Sequence, residues 1–291
     1  MTAVGGHRQP LQKQRSEERL LPQGREADRN QPMSFLHPFR DRRRQELSVQ
    51  PFPAAWEQII HRNVPICRCL HPDERQRLED VIKVFIAEKH FEGCAGLTIT
   101  DEIKVTIAAQ ACLLLLNLHH DYYERLVSIL VYPESFTVEQ EERGPASTVE
   151  VANRAVMGLS SSKGAVVLSW PDTIDGARNP KDGVNVVFHE FAHQLDQLDG
   201  AMDGAPSLES AATYREWAQV LGSEYKRLQE NVATGTPSLI SEYGAAKPAE
   251  FFAVVTELFF EKPVELQQEH PTLYEEFRLY FHQDPAERQP R

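Results

Sequence analysis

The residues best suited to chemistry lie in Asn185–Asp196, NVVFHEFAHQLD. His189 and His193 are four apart, so on a helix they stand about 40° apart around the axis and project from one face. Two imidazoles in that relation can bind one tetrahedral metal, and Glu190 beside them can hold and deprotonate a metal-bound water. The pattern points to zinc and to hydrolysis. The bland alternative is an exposed helical face that carries two histidines and a glutamate. Val184, Val187, Phe188, Phe191, Leu195 and Leu198 recur at helical spacing and predict one apolar stripe. Asn179 with Pro180, or else Asp182, supplies a start signal. The wheel sets both histidines opposite the stripe, toward solvent or a cleft.

A catalytic zinc needs a third protein ligand, and two kinds of candidate follow. Asp196 and Asp199 continue the motif as HExxHxxDxxD. Metzincin-type sites place Gly three residues after the second histidine so that the chain can turn back to the metal, and Asp196 occupies that position here. The other candidate lies in Pro248–Lys262, PAEFFAVVTELFFEK, a helix opened by Pro248 and stopped by Pro263. This helix is apolar almost all round, with a narrow charged stripe of Glu250, Glu257 and Glu261. Carboxylates on so apolar a helix need a reason, because an unpaired buried charge is costly. One Glu on zinc and a second orienting a ligand would supply it. A thin solvent-facing strip is the other explanation.

The blocks HEFAHQLD and YGAAKPAEFFAVVTELFF, with the upstream segments LVYPESF and VVLSW, resemble the Mlc titration factor A family of bacterial zinc metallopeptidases over most of residues 45–288. The resemblance implies a gluzincin-like site: one zinc per chain held by His189, His193 and Glu250, with Glu190 as base. It also implies Tyr243, seven residues before Glu250, as the group that stabilises the oxyanion. Together with Asp196 at the turn position, it favours Glu250 over Asp199 as third ligand. The family is similar in structure to the catalytic domain of anthrax lethal factor, which implies a zincin-like α+β fold, and an aminopeptidase-type activity on a peptide or protein substrate is expected. The family's namesake role is regulatory, binding the repressor Mlc to lift repression of a phosphotransferase-system glucose gene. The alternative function is therefore a repressor-titrating protein whose zinc site is mainly structural.

The elements that must position these residues can be read along the chain of 291 residues. His71–His90 reads as an amphipathic helix with Leu78, Ile82, Phe85 and Ile86 on one face. Thr100 is an N-cap, followed by Asp101 and Glu102 in the first turn of a helix through Leu118. Leu126–Tyr132 and Ala165–Trp170 are β-branched and aliphatic runs that read as strands. Helices then dominate to the C-terminus. That order fits a mostly helical α+β fold with a small sheet better than a parallel βαβ fold.

Composition bounds the rest. A net charge of −12 with pI near 5.4 argues against a nucleic-acid partner. No apolar run approaches a membrane span and the start has no apolar leader, so a cytoplasmic protein is expected. Four cysteines are too few for a disulfide scaffold, and the lone Cys67-x-Cys69 pair lacks a second pair, so they read as small core residues. The basic cluster Arg40, Arg42, Arg43 and Arg44 reads as a solvated run. Residues 1–33 contain no aromatic residue and few large aliphatics, so they are expected to be a disordered extension preceding one domain over 34–291, with Met33 an alternative start.

Overall fold

A computed structural model of the chain describes residues 38–143, 149–156, 158–161 and 164–288. The expectation for residues 1–33 lies outside the described residues. The chain divides into two units, Met1–Asp41 and Arg42–Arg291, and the second carries the sheet, the core and the candidate site. In chain order, the elements begin with helices α1 (Pro38–Ser48), α2 (Ala54–Asn63) and α3 (Pro72–Glu88). Strand β1 (His90–Gly93), helix α4 (Asp101–Leu115) and strand β2 (Ser128–Tyr132) follow. Then come β3 (Phe136–Arg143), β4 (Val149–Val156), β5 (Gly158–Ser161) and β6 (Ala165–Ser169). The remainder is helical: α5 (Trp170–Arg178), α6 (Val186–Asp196), α7 (Ala211–Thr234), α8 (Pro248–Glu261), α9 (Pro263–Glu269) and α10 (Pro271–Phe281).

α4 starts where its cap places it, with the Thr100 hydroxyl accepting from Ile103 N at 3.3 Å. Ile103 and every residue from Val105 to Leu115 are buried, which makes α4 the axis around which the core is built. The face expected on α3 is the face found, with Leu78, Ile82 and Phe85 buried and Ile86 packed against them. That helix ends at Glu88, however, two residues short of the predicted His90. Lys89 turns into extended backbone, its buried Nζ donates to Tyr123 O and Leu126 O at 2.8 Å each, and His90 N donates to Val127 O. Those partners come from a distant stretch of chain, so helical periodicity carried past the true end.

The strand that begins there completes a four-stranded sheet of order β1-β2-β6-β5. β1, β2 and β6 run parallel, in register Ile129↔Val166 and Val131↔Leu168, and β5 pairs antiparallel on the outer edge of β6. The small sheet and the helical bulk fit the α+β expectation. The parallel pairing of its first three strands is a difference from that reading, and it arises from β1, which pattern alone merges into α3. β3 and β4 form a separate antiparallel hairpin that was not expected either.

The C-terminal helices close over an aromatic cluster. Phe252 and Phe259 of α8 meet Phe277 and Phe281 of α10, while Trp217 of α7 stacks on Phe277 with centroids 5.3 Å apart. Each of these rings is fully buried, a contribution of roughly 1.5–3 kcal/mol apiece that fixes α8 as a rigid element. Among the described residues, no helix is long and apolar enough to cross a membrane. All four cysteines are free thiols; Cys67 and Cys112 are buried, and Cys69 and Cys94 are half-buried. Arg44 departs from the solvated-run reading. It forms a fork on Glu88 at 2.6 and 2.8 Å, also bonds Asp121, and lies 4.5 Å over the Tyr122 ring.

Candidate metal centre

Asn185 makes the start of α6. Its backbone is extended, and its side-chain oxygen accepts from Val187 N at 3.1 Å and Phe188 N at 3.0 Å. The expected start signals serve the preceding loop instead. Asn179 Nδ2 donates to Asp182 at 2.6 Å, and Asp182 accepts from Val184 N at 3.0 Å. Gly183 between them holds a φ of +81°, a left-handed conformation that no helix continues. Val187, Phe188, Phe191 and Leu195 form the buried stripe, whereas Val184 precedes the helix and Leu198 follows it, both exposed. Of the two surroundings expected for the histidine face, solvent or a cleft, it does not meet open solvent. His193 and Glu190 are buried and His189 nearly so, because α8 lies across them.

The three carboxylates of α8 face α6 and the loop before it. Glu250 Oε2 lies 3.1 Å from His189 Nε2 and 3.4 Å from His193 Nε2. One turn pair further on, Glu257 Oε1 meets His189 Nδ1 at 2.8 Å and its Oε2 accepts from Asn185 N at 2.5 Å. Glu261 then accepts from Asn185 Nδ2 at 2.9 Å and from Gly183 N at 3.1 Å. The Asn185 amide also donates to Gln110 Oε1 of α4 at 2.8 Å. Glu257 and Glu261 are therefore buried and paired, which removes the thin solvent strip as an explanation for the stripe. Asn185 and Gln110 are the residues that sequence reasoning missed. The signal for Asn185 was present, since an Asn stands directly before the apolar-periodic run. Nothing in a sequence links Gln110 to this site.

His189 Nε2, His193 Nε2 and a Glu250 oxygen lie within 4.8 Å of one another, the one such group among the described residues. Zinc bonds of about 2.0–2.1 Å in a tetrahedron imply ligand–ligand edges of about 3.3 Å, and the two His–Glu250 distances of 3.1 and 3.4 Å match that spacing. Glu190 Oε2 and His193 Nδ1 are buried without a hydrogen-bond partner among the described residues. An orphaned carboxylate oxygen beside three converging ligand atoms fits a metal that brings its own water. The residues present thus suit a divalent metal.

Without a metal the cluster's titratable groups are strongly coupled. Burial pushes Glu190 up to about 8, helped by the charges of Glu250 and Glu257 and opposed by His189. Burial acts the same way on Glu250, but hydrogen bonds from His189 and His193 override it and hold that carboxyl well below the usual range. Burial would lower His189, yet Glu250 and Glu257 on its two nitrogens raise it well above an ordinary imidazole. His193, with burial dominant, is lowered. Two neighbouring carboxyls, Glu190 and Glu250, are thus driven apart in their affinity for a proton.

The other predicted residues are placed as follows. Tyr243 sits on a single 3-10 turn, Glu242–Ala245, which leads into α8, with its ring centroid 5.8 Å from that of His189. It is 41% exposed, so it lines the open side of the cluster. Asp199 lies in a 3-10 turn after α6, where its carboxylate accepts from Ala201 N at 2.9 Å, and it does not join the His–His–Glu group. Asp196 is fully buried and accepts from Gly204 N at 3.0 Å on both oxygens, so the chain does not turn back to the histidines there.

The chain is similar to known proteins over most of its length. The chain is 42% identical over 246 residues, 84% of this chain and 90% of the other, to a Synechocystis protein designated "Uncharacterized protein slr2042". It is 29% identical over 235 residues to Mlc titration factor A of Klebsiella pneumoniae, covering 80% of this chain and 87% of that one. Mlc titration factor A of Yersinia pestis is 29% identical over 241 residues, covering 82% and 87%. Residues 39–282, which include both helices of the candidate centre, match the model of a family described as glucose-regulated metallo-peptidase M90, and the chain belongs to that family.

Proposed function

We propose that this protein is a zinc-dependent peptidase of gluzincin type on a zincin-like fold, with one zinc per chain. The observation that carries the reading is the convergence of His189, His193 and Glu250 at the crossing of two buried helices, with the orphaned Glu190 carboxylate alongside. His189, His193 and Glu250 would hold the metal, and Glu257 would hold the His189 ring by its second nitrogen. When bound, the zinc supplies Lewis acidity that polarises a carbonyl and brings the pKa of water toward 7. Glu190, with a buried carboxylate oxygen that no other group among the described residues engages, would take a proton from the attacking water and return it to the leaving amine. Tyr243, exposed beside His189, would donate its hydroxyl proton in a hydrogen bond to the developing oxyanion. Cleavage from the amino terminus of a peptide is the mode proposed, by family resemblance.

The relatives' printed name supports a second, regulatory reading, in which the chain binds a repressor of the Mlc type. One substitution separates the two. Glu190→Gln should lower peptide hydrolysis by roughly 10²–10⁴ while zinc content, measured by metal analysis, stays stoichiometric. Repressor binding should be indifferent to it. Hydrolysis at the wild-type rate in that variant would overturn the mechanism.

A further inference from the structure

The two histidines and Glu250 belong to different helices, so their spacing depends on how the end of α6 meets the start of α8. One peptide packs between those two ends, beside the direct contacts of the helices. Gly204 is buried, with a φ of +80°, and a Cβ placed on it would fall 2.5 Å from Pro248 O, 2.7 Å from Pro248 C and 3.3 Å from Ala249 N. Pro248 and Ala249 are the first two residues of α8, and Glu250 is the third. The Gly204 N–H donates to both oxygens of Asp196, the last residue of α6, at 3.0 Å. Its carbonyl accepts from Trp217 Nε1 at 3.0 Å, and Trp217 in turn packs edge-on against Phe252 of α8, 5.9 Å between centroids. The Gly204 peptide is thus held from α6, from α7 and by direct contact with α8.

We infer that Gly204, clamped by Asp196 and Trp217, is a positioning residue that sets the approach of Glu250 to the histidine pair. The inference rests on the metal-site reading above and assigns to the DxxxxxxxG segment a purpose other than ligation. Any side chain at 204 must push the first turn of α8, because the 204 peptide is itself held by Asp196 and Trp217 and cannot retreat. A displacement of the turn moves the Glu250 carboxylate away from His189 and His193. Loss of the Asp196 carboxylate frees the same peptide from the other side.

The test uses the full chain with Zn²⁺ and Co²⁺ as probes. Gly204→Ala should lower zinc affinity by roughly 10–100-fold in chelator competition at fixed pH. The visible spectrum of its Co²⁺ form should weaken as the third ligand withdraws. Gly235→Ala is the control, since Gly235 also has a positive φ, +67°, but nothing lies within 4 Å of its added Cβ. It should lower melting temperature while leaving zinc affinity and the Co²⁺ spectrum as in wild type. Asp196→Ala should weaken zinc binding, and Asp196→Asn, which keeps one acceptor oxygen for the Gly204 N–H, should restore it to within a few fold. This pair decides the matter if Gly204→Ala does not fold. Wild-type affinity and spectrum in Gly204→Ala, or equal loss in the two Asp196 variants, overturns the positioning role and leaves the peptidase reading intact. A wild-type protein that takes up no metal overturns both.

Discussion

Asp199 and Glu250 are the two carboxylates that could complete a histidine pair on α6, and their surroundings differ in the way that matters. Asp199 spends its charge on a local turn, accepting from Ala201 N in an exposed segment. Glu250 has two imidazole nitrogens in front of it and apolar residues around its helix, so its charge is directed at the histidine pair rather than at a turn. Glu250→Ala should therefore release zinc, with a loss of affinity beyond the roughly 10–100-fold typical of an outer-shell change. Asp199→Ala should leave affinity unchanged. Competition with a chelator at one pH checks both, because imidazole protonation alters apparent affinity. Zinc lost from Asp199→Ala and kept by Glu250→Ala would make the site metzincin-like.

The contact between α6 and α8 carries polar pairs along one side and an aromatic pair beside them. Phe188 lies 5.2 Å from Phe260 between centroids, and beside them Asn185, Gln110, Glu257 and Glu261 form a buried network. Burial pushes Glu261 up to about 8 from an ordinary 4.5; Asp182 and Glu257 add to the rise, and the bonds from Asn185 and Gly183 oppose it. A carboxyl whose folded pKa is raised binds its proton more tightly when folded. Its stabilisation is complete below 4.5 and is lost as pH rises through 8. Glu261→Gln cannot titrate, so the melting-temperature difference, variant minus wild type, should move in the variant's favour from pH 5 to pH 8. Thermal melts across that range with a constant difference would show that Glu261 is ionised throughout.

At the scale of the molecule, the metal would join the core on which α6 sits to the C-terminal aromatic cluster on which α8 sits. A ligand bound only by the folded state stabilises it, by about 4 kcal/mol at a free concentration 1,000 times the dissociation constant. For a domain of this size that corresponds to about 10 °C. Chelator-treated protein should melt lower by that order, regain its melting temperature on adding zinc, and Glu250→Ala should respond to neither. A melting temperature indifferent to chelator would show that the two helices hold together without the ion.

Much of this was legible along the chain because it is local. The four-residue spacing of His189 and His193, the apolar run from Val187 to Leu195, the Thr100 cap and the Pro248 start are all set by contacts within a turn or two. Helix period and cap chemistry suffice to read them. What needed the tertiary structure is what depends on partners far along the chain. β1 exists because Val127 and its neighbours offer it a parallel edge, and α3 ends early for the same reason. The histidine face is closed rather than exposed because α8 covers it, which no wheel of α6 alone can reveal. Glu250, Glu257 and Glu261 form one stripe in the sequence, yet only packing sends the first to both histidines, the second to the back of His189 and the third to Asn185. Spacing within a helix is decided by its own geometry; the pairing of charges across two helices is decided by which faces the hydrophobic core presses together.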